Sequence, residues 1–156
     1  MTFYNVFLFI SQHRYVRKYG LFLDFMDIAI FDHLMLNYDR HSFVILRNKR
    51  NRTKTGLVLF DNGKGFGDPF NDDLTFLTPI KQCCQFRNST YQRVVQLTNI
   101  KTRLSELMRA SLLQVPLHVL TGDFYSALDR RLEQVVKEMD ICIEKFGAEK
   151  VFSEEW

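Results

Sequence analysis

A chain of 156 residues, 46% hydrophobic and 25% charged, is long enough for one domain with its own core. Its composition excludes a disordered tail, a collagen-like repeat and a disulfide-dense miniature. The formal net charge of +3 is mild: it suits a phosphorylated or polyanionic ligand without requiring one, and no run reaches the roughly eighteen apolar residues of a membrane span.

The three cysteines cannot all pair within one chain. A cytosolic reading keeps three thiols; a secreted one pairs two of them. The 15 phenylalanines imply a core of large rings, or an apolar surface meant for a partner. In chain order, Thr2 to Ile10 reads as a strand or short buried helix, without the basic start and small-residue cleavage site of a signal peptide. His13 to Lys18 is a basic, solvated segment, and Gly20 a break.

Leu21 to Leu36 is predicted to be a helix, apolar over most of its circumference, as in a helix buried inside a domain. Asp24 and Asp27 suit the positive helix start, and Asp32 reads as a partnered buried acid. The stretch from Asn37 to Gly67 then dominates the chain. Asp39-Arg40-His41 leads into Phe43-Val44-Ile45-Leu46, a basic turn follows, and Leu57-Val58-Leu59-Phe60 runs out into Asp61-Asn62-Gly63-Lys64-Gly65-Phe66-Gly67. Two short strands joined by a turn bring their outer ends together, so a hairpin places Asp39 and Asp61 at one end. Paired acids on adjacent loops suit phosphoryl transfer: one orients a hydroxyl, and the other holds the metal that neutralises ATP phosphates. The alternative is purely structural, with both aspartates as caps or turn formers. Glycines 63, 65 and 67 are expected to permit positive φ and close approach to phosphate.

Arg47 to Lys54 carries five basic residues in eight and no aromatic one. It reads as a solvated hairpin tip or a landing site for an acidic substrate, and the missing aromatics argue against nucleic acid. Asn51 and Asn88 head N-glycosylation sequons. Asp68, Asp72 and Asp73 are read as turn acids, Thr75 to Pro79 as a loop, and Pro79 as a helix start. Cys83-Cys84 lacks the second half of a zinc set. A helix from Asn88, capped by Ser89 or Thr90, has Tyr91, Val94, Val95 and Leu97 on its apolar side. Leu104 to Leu112 gives another, and Pro116 with Leu117 to Leu120 a connector. A long helix, capped by Thr121 and stopped by Gly147, carries an apolar stripe from Phe124 through Cys142 to Phe146; Ala148 onward reads as a tail.

The words Asp39-Arg40-His41 and Asp61-Asn62-Gly63 resemble the secretory-pathway kinases of the family-with-sequence-similarity-twenty group, the four-jointed-like kinases. These include the Golgi casein kinase and the glycosaminoglycan xylosylkinase. Further matches run in order from Ile30-Phe31-Asp32 through Gly65-Phe66-Gly67, Leu77-Thr78-Pro79, Gln82-Cys83-Cys84 and Ser89-Thr90 to Leu128-Asp129-Arg130-Arg131-Leu132. They cover Leu23 to Val151. The closing stretch with Lys145-Phe146-Gly147 is slightly more like the xylosylkinase branch.

The resemblance implies a mainly α domain with a small β-hairpin, the C-terminal lobe of an atypical protein kinase. It spans residues 21–151, between a divergent or non-native segment 1–20 and a tail 152–156. It implies transfer of the ATP γ-phosphoryl group, with Mn2+ or Mg2+, to a xylose hydroxyl of a proteoglycan linker or a Ser of a secreted protein. Asp39 is then the catalytic acid, Arg40 and His41 support it, Asp61 is the metal ligand, and Asn62 and Gly63 begin the phosphate loop. The expected location is the Golgi lumen or the cell exterior, for a full-length form whose signal segment is not in this chain. Cys84 is expected to bridge to Cys142, and Cys83 to lack the upstream partner that the family provides.

The motif departs from the family at Ser42, Phe43 and Val44, where the family has His, Tyr and Glu. Val44 keeps open a pseudokinase that acts on a related kinase as its dimer partner, and a non-catalytic helical domain is the further alternative. Kinases bind ATP between two lobes, and no glycine-rich loop or strand lysine precedes Leu21. The chain alone is therefore expected to show little or no kinase activity.

Overall fold

The computed structural model describes residues 21–41, 43–47, 55–115 and 120–153. Expectations on 1–20, on the hairpin tip with Asn51, on Ser42 and on the connector 116–119 lie outside the described residues.

Helix α1 (Phe22–Met35) is the axis of the domain. Leu23, Met26, Ala29 and Ile30 are all buried, so the helix is wrapped on several sides, as its unbroken apolar character requires. It ends in a Schellman motif. Leu36 adopts φ 51°, its N–H donates to the His33 carbonyl at 3.2 Å, and the Asn37 N–H reaches back to the Asp32 carbonyl at 3.0 Å. A leucine in the left-handed region costs roughly 1 kcal/mol or more. Burial of the Leu36 side chain, only 1% exposed, offsets this. The reversal throws Asn37 to His41 across the end of the helix.

Strands β1 (Phe43–Arg47) and β2 (Thr55–Leu59) form an antiparallel hairpin with Phe43 opposite Leu59 and Ile45 opposite Leu57. Ile45 and Leu57 face the core, and the Phe43 ring meets Phe25 edge-on at 5.5 Å. The opposite face carries Val44, Leu46 and Val58, with Val44 46% and Leu46 54% exposed.

The chain continues through a 3-10 turn (Leu74–Leu77) and helix α2 (Thr78–Cys83), in which Pro79 occupies the first turn as expected. Helices α3 (Asn88–Thr98), α4 (Leu104–Leu112) and α5 (Gly122–Phe146) complete the bundle. Helix α5 is the second organising element and packs against α1, α2, α3 and α4. Its stripe of Leu128, Leu132, Val135, Met139 and Cys142 is buried. Cys142 is bonded to Cys84, closing a separation of 58 residues.

Four expectations need correction. Thr75 to Leu77 is 3-10 helix rather than loop, because the Asp73 carboxylate accepts from the Thr75 N–H at 2.9 Å and starts a turn. Neither Ser89 nor Thr90 caps α3; Arg87 is the capping position, and the Thr90 hydroxyl donates instead to Asp27 at 2.8 Å. Val95 is exposed. The residues after Gly147 (φ 84°) are no loose tail. Helix α6 (Ala148–Val151) follows, and Phe86 pairs with Phe152: the Phe86 N–H donates to the Val151 carbonyl at 3.2 Å, and the Ser153 N–H to the Phe86 carbonyl at 3.1 Å. Among the described residues no helix is long and apolar enough to cross a membrane.

Candidate active site

The hairpin's open end faces the C-terminal end of α1, and the expected site residues gather there. Asp39 sits on the loop after α1, Asp61 just past β2. His41 stands between them: its Nδ1 lies 3.2 Å from Asp39 Oδ1, and its Nε2 3.8 Å from Asp61 Oδ2. Two carboxylates from separate loops thus flank one imidazole. Both acids remain open to solvent, their side chains 38% and 58% exposed.

What holds these loops is buried. Asp32, in the last turns of α1, is fully buried and receives the Arg40 guanidinium: Nε lies 3.0 Å from Oδ2, and a terminal nitrogen 2.6 Å from Oδ1. The same guanidinium donates to the Phe60 carbonyl at 2.8 Å and to Asn62 Oδ1 at 2.5 Å. Arg40 therefore ties the loop that bears Asp39 to the loop that bears Asp61, with the helix as anchor. Asn37, also fully buried, accepts the Asp39 N–H on Oδ1 at 3.1 Å. Its Nδ2 faces Asp32 without making a hydrogen bond of normal geometry among the described residues. Burial pushes the Asp32 carboxyl above the usual carboxylate range, against the pull of Arg40 and Asn37.

The glycine-rich loop works differently from its sequence expectation. The left-handed residues are Asp61 (φ 56°) and Phe66 (φ 57°), not the glycines at 63, 65 and 67. The Phe66 N–H donates to the Met35 carbonyl at 2.5 Å, clamping the loop onto the end of α1. Gly65 is needed for space, because a Cβ there would meet Met35 Cε at 2.5 Å and the Asn62 carbonyl oxygen at 3.1 Å.

Two features escaped the sequence reading. Lys64 Nζ lies 2.5 Å from Asp39 Oδ2, and this contact holds the Asp39 carboxyl below its ordinary range. The signal was the lysine three positions after Asp61. The second is Asp72, which is no simple turn acid. It binds Arg130 at 2.6 Å, Arg131 at 2.9 Å and Gln134 at 3.0 Å, and Arg130 first among them draws its carboxyl down to about 2. Arg131 is 1% exposed and also donates to the carbonyls of Leu34, Asp68 and Asn71, stapling the segment after the glycine loop to α1. Asp68 and Asp73 do serve turns, accepting from the N–H groups of Phe70 and Thr75.

Among the described residues no three His, Cys, Asp or Glu side chains cluster as a closed metal cage. The oxygens present suit a different kind of site. A small divalent cation that keeps its waters needs only one or two carboxylates plus substrate phosphates, and the exposed Asp61 carboxylate fits that demand. Asn88, half-buried, opens α3, and the hydroxyl of its sequon is the one engaged by Asp27.

Comparison with known proteins gives the family. The family described as Golgi casein kinase, C-terminal, Fam20 matches residues 6–151, so the similarity reaches back past Leu23. The chain is 40% identical to the human extracellular serine/threonine protein kinase FAM20C over 147 residues, which is 93% of this chain and 24% of that protein. It is 38% identical to the pseudokinase FAM20A of Mus musculus, over 85% of this chain and 24% of that protein. It is also 38% identical to the glycosaminoglycan xylosylkinase of Danio rerio, over 85% of this chain and 32% of that protein. The chain thus spans a quarter to a third of the length of these relatives. Among solved structures it resembles the Golgi casein kinase with Mn/ADP bound, with TM-score 0.83 and 31% identity over 94% of this chain and 35% of that one. It resembles hydra Fam20 with sugar at TM-score 0.82 and 34% identity, over 96% of this chain and 42% of that one.

Proposed function

Since the chain belongs to the Fam20 family of Golgi casein kinase relatives, we propose that it is the phosphotransfer lobe of a secretory-pathway kinase acting on a hydroxyl acceptor. The observation that carries this is the convergence of Asp39 and Asp61 on the two sides of His41. In the proposed reaction the acceptor oxygen bonds to the γ-phosphorus as the bond from that phosphorus to the β–γ bridging oxygen breaks. ADP leaves with the electron pair, and the acceptor's proton passes to the Asp39 carboxylate.

Asp39 is well placed for this because its backbone is fixed by Asn37 while its carboxylate stays solvent-open. In a loose transition state, orienting the hydroxyl matters more than early deprotonation, and an exposed carboxylate can orient it. His41, whose Nδ1 also lies 2.8 Å from the Asp39 carbonyl oxygen, spaces the two acids. Arg40 keeps the loops in register. Asp61 is the residue that would hold Mn2+ or Mg2+, and the bound ion supplies charge neutralisation for the nucleotide phosphates.

For the acceptor we favour a xylose hydroxyl in a proteoglycan linker over a Ser hydroxyl, on the closing stretch around Lys145-Phe146-Gly147. Relatives named for each acceptor class match over similar shares of the chain. Such names also support an extracellular or Golgi-lumen setting, as does the Cys84–Cys142 bridge. A second reading rests on Val44. The outer face of β1 carries no acid there, and a pseudokinase is among the relatives, so a role as the partner of a related kinase is supported by that one substitution.

The test is calorimetric titration of ADP into the chain with and without Mn2+. The proposal expects binding that needs the metal, is lost in Asp61→Asn and survives Asp39→Asn. Metal-independent binding, or indifference to Asp61→Asn, would overturn it. Transfer of labelled phosphate to a xylose-terminated linker oligosaccharide against a Ser peptide, assayed in a longer form that also carries the second ATP-binding lobe, then decides the acceptor.

A further inference from the structure

Lys64 has so far only its contact with Asp39, yet it stands beside both acids of the site. Its ammonium touches Asp39, the group assigned to the acceptor hydroxyl, and feels the charge of Asp61. It is flanked by Gly63 and Gly65 on a loop clamped at Asn62 and Phe66, so its backbone is fixed while its side chain, 71% exposed, is free to swing. We propose that Lys64 is a substrate-binding residue for the phosphoryl group in transit: it rests on Asp39 while the site is empty and moves to the terminal phosphate oxygens of the metal-bound nucleotide.

The proposal rests on the phosphotransfer reading. The energetics permit the exchange. A solvent-exposed ion pair is weak, so leaving Asp39 costs little. A terminal phosphate offers more negative charge and more acceptor oxygens than one carboxylate. The move has a chemical consequence: while Lys64 sits on Asp39 the carboxylate is a weak base, and withdrawal of the lysine restores its basicity at the moment a phosphate is present to be transferred. Asp39 and the phosphate thus compete for one cation.

That competition is the basis of the test. Sodium tripolyphosphate with Mg2+ is titrated into the full chain and followed by backbone amide shifts in the wild type, Lys64→Met, Asp39→Asn and the double variant. Glucuronate is titrated in parallel as an anion without phosphorus. The expected result is a tripolyphosphate affinity about three- to fivefold weaker in Lys64→Met, as suits one exposed charge. Asp39→Asn should bind tighter because it frees the lysine, and that gain should vanish in the double variant. If the gain persists without Lys64, it reflects only the loss of a negative charge and the proposal fails while the phosphotransfer reading stands. It fails in the same way if wild type and Lys64→Met bind equally, or if Lys64 responds to glucuronate alone. If the wild type binds no tripolyphosphate with Mg2+, both fall. Lys64 is exposed, and an unchanged melting temperature in Lys64→Met confirms that the loop is intact.

Discussion

Replacing Asp32 by Asn removes the buried counter-charge of Arg40. The Arg40 side chain is 4% exposed and Asp32 is fully buried, so the guanidinium left behind would keep the Phe60 carbonyl, Asn62 and one amide oxygen of the new side chain as acceptors, with no buried charge opposite it. Breaking a buried pair in this way costs about 3–5 kcal/mol, a large part of the 5–15 kcal/mol that holds a domain folded. With a urea m-value of about 2 kcal/mol/M, the midpoint should fall by roughly 2 M. The assay is urea unfolding followed by circular dichroism at pH 7 for Asp32→Asn, Arg40→Met and Asp32→Leu/Arg40→Met. Removing both charges leaves no orphan, so the double variant should be markedly more stable than Asp32→Asn while its two loops lose their common tie. A loss below about 1 kcal/mol for Asp32→Asn, or a double variant no more stable than that single one, would refute the reasoning.

The bridge between Cys84 and Cys142 closes 58 residues, worth about 4 kcal/mol in the chain-entropy model. Urea unfolding of Cys84→Ser/Cys142→Ser should show a loss near that size. Asp72 has a folded-state value of about 2 against an ordinary 3.8. A depressed acid stabilises the fold above its unfolded value and loses that contribution as pH falls through the folded one. The window is therefore pH 4 to 2, the amount about 2 kcal/mol. Unfolding free energies across that window should fall in the wild type and flatten in Asp72→Asn. Gly65→Ala drives a methyl into Met35 and the Asn62 carbonyl. It should cost about 1–3 kcal/mol and shift the amide signals of Asn62 to Phe66, which thermal melts and amide spectra would show.

The parts of the fold carried by local pattern were legible in the sequence. The length of the apolar run of α1, the helical stripe of α5 and two short apolar runs either side of a polar turn each point to one element, and Pro79 and Gly147 mark a start and a stop. That Asp39 and Asp61 lie near one another was legible because strand geometry brings the ends of a hairpin together. What stayed hidden depends on distant partners. Thr90 was expected to cap its own helix, but Asp27 outcompetes the backbone for its hydroxyl. Asp72 looked like a turn acid because the two arginines that claim it lie on α5, nearly sixty residues on. The glycines looked like hinges for positive φ. The strain falls on Asp61 and Phe66, and of the three glycines Gly65 alone lies too close to Met35 and the Asn62 carbonyl for a side chain to fit without a shift.

The most direct test of the central claim is paramagnetic broadening of backbone amides by trace Mn2+ with ADP. The account predicts that amides of Asn37 to His41 and of Phe60 to Lys64 broaden together, and that Asp61→Asn abolishes both effects. Broadening confined to one of these loops, or centred elsewhere on the domain, would contradict it.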